Sequence, residues 1–332
     1  MRVVSLIPIP ILIASVAAAQ TAAPPTGRVA PLPRPEVKPS YAWPVSWELA
    51  TGEGRSAFRR LVRDAGLRGV MLGWDTWAQP EASWRPRAGI RELVAELHTD
   101  GVCVGAQLMP VLAHPEARWL DRWRTGVVEP DGWGQLSDQG VVINCHQIAY
   151  WYVSCEFDRL YADGWEGIAP RDSQGRWIDE RGVHDADAVR QMAERSDRMH
   201  AVLRDAIAAR GGRVWWYETS EGRFDGQYLD WWAGESFRRF TARLLTQQQY
   251  LAERGKPGVP PTYGMACLWH PGRGNPPYAE FSRLADFAAA DDAPLAVQVW
   301  PAALGDPEWP LWARTIADVD RRRAATTNGV HK

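Results

Sequence analysis

From Tyr41 to Asp320 short apolar runs alternate with amphipathic segments, and this alternation constrains the fold more than any other feature of the chain. Such a pattern reads as βα units, a parallel sheet whose crossovers are helices. Strands read at Ala42–Glu48, Arg68–Trp74, Val102–Met109, Arg213–Glu218, Tyr263–Trp269 and Leu295–Trp300. Helices read at Arg55–Ala65, Gly89–Leu97, Ala188–Arg210, Gln227–Glu253, Tyr278–Ala289 and Trp309–Asp320. In the first helix Phe58, Leu61, Val62 and Ala65 share one face, a period near 3.6. Between Glu116 and Asp172 the pattern is weaker: Val141–Cys145 reads as a strand or an extension, Ala149–Tyr161 as a helix and Glu166–Pro170 as a strand. With Val141–Cys145 included the strands number eight, and with the terminal helix they predict an α/β fold of the (β/α)8 TIM-barrel type. The expected single domain spans 41–325, near the roughly 250 residues of such a barrel, with a tail at 326–332. A doubly wound open sheet is the competing topology, but no GxGxxG follows the first strand and no Walker-type loop occurs.

The first forty residues carry different signals. Met1-Arg2 is a short positive region, Val3 to Val16 is apolar, and Ala17-Ala18-Ala19 supplies small residues before Gln20. This reads as a secretory signal peptide over residues 1–19, and residues 20–40, rich in proline, as a linker. The expected product is secreted or periplasmic, with no membrane span after signal cleavage. A formal charge of −2 supplies no basic field for nucleic acid, so no nucleic-acid partner is expected. Cys103, Cys145, Cys155 and Cys267 form no CxxC pair and have no His at zinc spacing, so neither a metal nor another cofactor is expected. In an oxidising compartment three disulfide pairings stay open, with isolated buried thiols the alternative for Cys103 and Cys267.

Tryptophan is the compositional outlier, 19 residues against 9 tyrosines. Indole faces stack on the C–H faces of sugar rings, so the excess points to a carbohydrate partner. In a barrel of this type the site is built at the C-terminal strand ends. Those ends carry Trp74, Asp75 and Trp77; Arg171 and Asp172; Trp216, Tyr217 and Glu218; Trp269 and His270; and Gln298 with Trp300. Aromatic platforms with convergent acids suit glycosidic-bond cleavage, in which one acid protonates the leaving oxygen and one carboxylate attacks or activates water. Each acid also has a plainer reading: Asp75 as a helix N-cap and Asp172 as a turn residue. Glu218, directly ending the apolar run Val214–Tyr217, is an odd place for a surface charge.

At these residues the chain resembles the (β/α)8 glycoside hydrolases. "RLVRDAGLRGVMLGWDTW" and "LHTDGVCVGAQLMP" resemble the second and third βα units of α-L-fucosidases and α-galactosidases. "LYADGWEGIAP" resembles the junction that delivers a catalytic acid in several such families, and "RVWWYETSEGRFDGQYLDWWAGESFRRF" is similar to a segment of endo-β-N-acetylglucosaminidases. Where those families end the "DGWEGIAP" strand with an acid, this chain has Arg171, with Asp172 one place later.

The expectation is a secreted glycoside hydrolase of a polysaccharide or glycan. Glu218 is its general acid/base and Asp172 its nucleophile or base. Trp74, Trp77, Trp216, Tyr217, Trp269 and Trp300 line sugar subsites, and Asp75, His270 and Gln298 bond hydroxyls. The alternative is a non-catalytic carbohydrate-binding barrel. A metal-dependent deacetylase is weaker, because no His-x-x-x-His or Asp-Asp-His cluster occurs.

Overall fold

The computed structural model describes residues 32–36, 38–44, 49, 51–128, 132–163, 186–219, 226–232, 263–268, 278–290, 295–299 and 309–330. In chain order these contain β1 (Tyr41–Pro44), α1 (Gly52–Ala65), β2 (Gly69–Leu72), α2 (Ile90–Thr99), β3 (Cys103–Leu108), α3 (Asp138–Ser154), β4 (Arg159–Ala162) and α4 (Ala186–Ala208). They continue with β5 (Trp216–Thr219), β6 (Gly226–Trp232), β7 (Tyr263–Leu268), α5 (Tyr278–Ala290), β8 (Leu295–Val299) and α6 (Trp309–Val330). The fold is α/β with a parallel sheet. Its ladder runs β1-β8-β7-β6-β5-β4-β3-β2 and returns to β1, so each strand has two parallel neighbours.

Local chemistry explains the clearest units. Thr51 Oγ1 accepts from Gly54 N at 3.0 Å and caps α1, whose buried face is Phe58, Val62 and Ala65. Gly66, at φ 72°, ends the helix in the left-handed region that glycine enters without penalty. Beyond it β2 and β3 are buried along their whole lengths, as strands covered on both faces must be.

Alternation along the strands separates inward from outward side chains. On β5, Tyr217 faces outward, its hydroxyl 2.7 Å from His200 Nδ1 of α4. Trp216 and Glu218 face inward with Arg159 of β4, whose guanidinium lies 4.3 Å from the Tyr41 ring centre and 5.7 Å from that of Trp216. One layer further along, Trp43 of β1 meets Tyr161 of β4 edge-on at 5.4 Å.

Three elements differ from the sequence expectation. Val141–Cys145 is not a strand but lies within α3, where Val141, Asn144, Cys145, Ile148, Ala149 and Tyr152 are buried at helical spacing. Ser137 caps that helix by accepting from Gly140 N, so burial overrides the β-preference of the valines. The helix expected to run through Tyr161 stops at Ser154, and Arg159–Ala162 is a strand; the expected strand Glu166–Pro170 lies outside the described residues. Glu156 makes the reversal at φ 60°, so no glycine marks the stop. Finally, residues 226–232, expected to open a helix, form β6, with Asp230 opposite Ala266 of β7.

The segment expected to be linker also ends inside the fold. Ser40 N donates to Asp320 Oδ1 of α6 at 2.9 Å, Arg323 Nη1 donates to Lys38 O at 2.8 Å, and Arg159 Nη1 donates to Pro39 O at 2.9 Å. Residues 38–40 therefore pack at the strand starts of the sheet. Cys103, Cys145 and Cys155 are buried free thiols. No described helix is long and apolar enough to cross a membrane.

Candidate functional site

The C-terminal ends of β2, β3 and β4 bring together a small polar group. Trp74 and Asp75 follow β2 in a single helical turn, Trp74–Trp77; Gln107 is the penultimate residue of β3; Asp163 directly follows β4. Gln107 Nε2 donates to Asp163 Oδ2 at 2.8 Å, and its Oε1 accepts from the Trp74 backbone N–H at 3.4 Å. One neutral amide thus links the chain beside Asp75 to the Asp163 carboxylate. Burial pushes the Asp75 carboxyl above the usual range, against smaller opposing contributions from the Thr76 hydroxyl and the Arg87 charge.

Gly73 sets the packing under Asp75. A Cβ there would stand 2.8 Å from Asp75 Oδ1 and 3.1 Å from Trp43 Nε1, so only glycine leaves both groups in place. Arg87 Nε donates to the Asp75 carbonyl at 2.9 Å and fixes the turn from outside.

Beside this group Trp74 meets Trp133 at 4.9 Å and 82°, and His114 meets Trp133 at 5.1 Å and 87°. Trp133 is buried, whereas Trp74 and His114 are half-buried. The supporting loops converge on Asn144 of α3. Its Oδ1 accepts from Trp84 Nε1 at 2.7 Å, and its Nδ2 donates to the carbonyls of Met109 and Pro110 at 3.1 and 2.9 Å.

Several expected site residues are elsewhere. Glu218 is fully buried and turned toward the strand starts, with Oε2 2.8 Å from Nη2 of Arg159, the first residue of β4, and an ion pair to Lys38, which precedes β1. Burial alone would raise its pKa, but the Arg159 and Lys38 charges outweigh that and hold it below the usual carboxylate range. A carboxylate so paired is a poor proton donor at neutral pH. Along the ladder Glu218 lies opposite Gly226, the first residue of β6, on one side and opposite Tyr161, the third residue of β4, on the other, so its level is set by the stagger between its neighbours. Trp216, 7% exposed, stacks under Arg34 at 5.2 Å at that same end and lines no site at the C-terminal face. Tyr217 is buried against α4 and Trp77 is fully buried, donating from Nε1 to the Gln107 carbonyl at 3.0 Å. These two are core residues and not sugar platforms.

Asp172, Trp269, His270 and Trp300 lie outside the described residues, and Gln298 is placed only by its backbone, opposite Trp43. Of the expected set, Trp74 and Asp75 are where the sequence reading put them. Asp163, Gln107, His114 and Trp133 were missed. "LYAD" carries a signal for Asp163, an acid closing an apolar run, but the expected helix over Ala149–Tyr161 hides that strand. Among the described residues no group of three or more His, Cys, Asp or Glu is arranged to hold a metal ion.

No protein-family model and no curated protein sequence matches the chain. Solved structures match it in fold. The cycloalternan-degrading enzyme from Trueperella pyogenes is 15% identical with a TM-score of 0.51, over 91% of this chain and 51% of that one. The α-galactosidase from Lactobacillus brevis is 14% identical with a TM-score of 0.52, over 87% of this chain and 41% of that one. The glycoside hydrolase domain of PgaB (BpsB) from Bordetella bronchiseptica is 12% identical with a TM-score of 0.51, over 86% of this chain and 98% of that domain. The chain spans about half or less of the first two and nearly all of the third. These structural neighbours are glycoside hydrolases, and at such identities the likeness is one of fold.

Proposed function

We propose that the chain is an exported glycoside hydrolase on a (β/α)8 TIM barrel, with Asp75 and Asp163 as its paired carboxylates. The observation that carries this reading is the Gln107 bridge, from the Trp74 backbone beside Asp75 to the Asp163 carboxylate, at the ends of three consecutive strands. Asp75, whose burial favours the protonated form, gives its proton to the leaving oxygen. Asp163 attacks the anomeric carbon or activates water there, and the Gln107 amide orients it without adding a charge. Fold alone is no argument for activity, since such barrels host many chemistries. The glycoside hydrolase neighbours lend support only alongside the acids and the adjacent indole. Glu218 has no part in this mechanism because its charge is neutralised by buried Arg159 and Lys38. Export rests on the residues 1–19 signal pattern.

The test is reducing-end release from bacterial and plant polysaccharides by the purified protein, beside Asp163→Asn, Asp75→Asn and Glu218→Gln. The expected result is release by the parent, loss in both aspartate variants, and turnover per folded molecule kept in Glu218→Gln. Sugar binding without release on any substrate would replace the hydrolase with a carbohydrate-binding barrel.

A further inference from the structure

We infer that His114, with the Trp74 ring, forms a second sugar subsite beside the Asp75–Asp163 pair, taking the uncharged sugar unit linked to the one being cleaved. The inference rests on the hydrolase reading and adds to it a binding residue and a minimum substrate length.

Glu116 N donates to His114 Nδ1 at 3.2 Å, so in the neutral ring Nδ1 is the acceptor and Nε2 carries the hydrogen. The ring is held from its backbone as well, because Arg124 Nη2 donates to the His114 carbonyl at 2.7 Å. Its edge-on contact with Trp133 fixes its plane, and the Trp74 ring lies 5.8 Å away at 55°. A half-buried imidazole with one fixed N–H donor, next to a half-buried indole, combines the two elements that recognise a neutral sugar: an apolar face and a directed hydroxyl partner. Its place is set by the chain. Trp74 directly precedes Asp75, and its backbone N–H is anchored on the Gln107 amide that also holds Asp163, so the Trp74 side chain issues from the turn that carries the acids.

The Asp163→Asn chain, which does not turn substrate over, is titrated calorimetrically with maltotriose against glucose, raffinose against galactose, and chitotriose against N-acetylglucosamine. The expected result is at least one trisaccharide bound about tenfold or more tighter than its monosaccharide. His114→Phe, which keeps the ring packing and loses the donor, lowers the affinity to the monosaccharide level, and His114→Gln restores part of it. A second readout needs no variant: the His114 Nε2 resonance of the parent shifts on addition of that trisaccharide and not of the monosaccharide. Equal binding of both sugars, an unchanged Nε2 resonance, or a His114→Phe chain that binds like the parent overturns the subsite and leaves the hydrolase reading standing. No binding of any of the six sugars, together with no reducing-end release, overturns both.

Discussion

Arg159 and Glu218 form a bidentate pair with neither side chain exposed to solvent, Nε to Oε2 at 3.1 Å and Nη2 to Oε1 at 2.9 Å. Lys38 adds a second cation, so Glu218 neutralises two buried charges. Glu218→Gln leaves two buried cations without their carboxylate and is expected to cost about 3 kcal/mol or more, read by denaturant unfolding. An unfolding free energy within error of the parent would refute this account of the pair.

The same group ties stability to acid. Its native pKa lies below the unfolded one, so its contribution is complete above the unfolded value, about 4.3, and is lost as pH falls through the native value. The parent is therefore expected to lose more stability than Glu218→Gln on acidification from about pH 5, and parallel pH curves for the two chains would contradict it.

Asp75 has the opposite shift, raised by burial, so its proton persists above the usual carboxylate range and is lost as pH rises through the native value. In the proposed role of general acid it would give kcat/KM an alkaline limb. Asp75→Asn is expected to lower activity about 100-fold or more and to abolish that limb. Arg87→Gln, which removes a charge favouring the ionised form, is expected to move the limb to higher pH. A limb unmoved in both variants would assign it to another group.

Gly73→Ala tests the packing beneath Asp75. The added Cβ meets the tip of the Asp75 side chain at 2.8 Å, and that tip can swing aside. The expected result is a loss of stability of about 1 kcal/mol or less with at least a tenfold fall in kcat. A variant as active as the parent would remove Asp75 from the reaction.

Asn144→Ala deprives the Trp84 indole of its acceptor and the Met109 and Pro110 carbonyls of a shared donor, all in the interior. About 2 kcal/mol or more of destabilisation is expected from thermal or denaturant unfolding. Asn144→Asp, which sets carboxylate oxygens against those carbonyls, is expected to fare no better.

The chain's own residues, read in order, determined the βα alternation, helices such as α1 with its Thr51 cap and Gly66 stop, and the strands around β2 and β3 to within a few residues. They also placed Trp74 and Asp75 beyond β2. These features depend on hydrophobic period, capping chemistry and left-handed glycines, all set within a few residues of chain. Tertiary structure alone decided that "VVINC" is helix, that a strand ends directly before Asp163, and that Glu218 faces Arg159 and Lys38. Each of those outcomes depends on partners distant in sequence. The helical face of α3 is chosen by what packs on it, and Glu156 reverses the chain without the glycine that would have announced it. The level of a side chain in the barrel is set by stagger between neighbouring strands, which no single strand encodes.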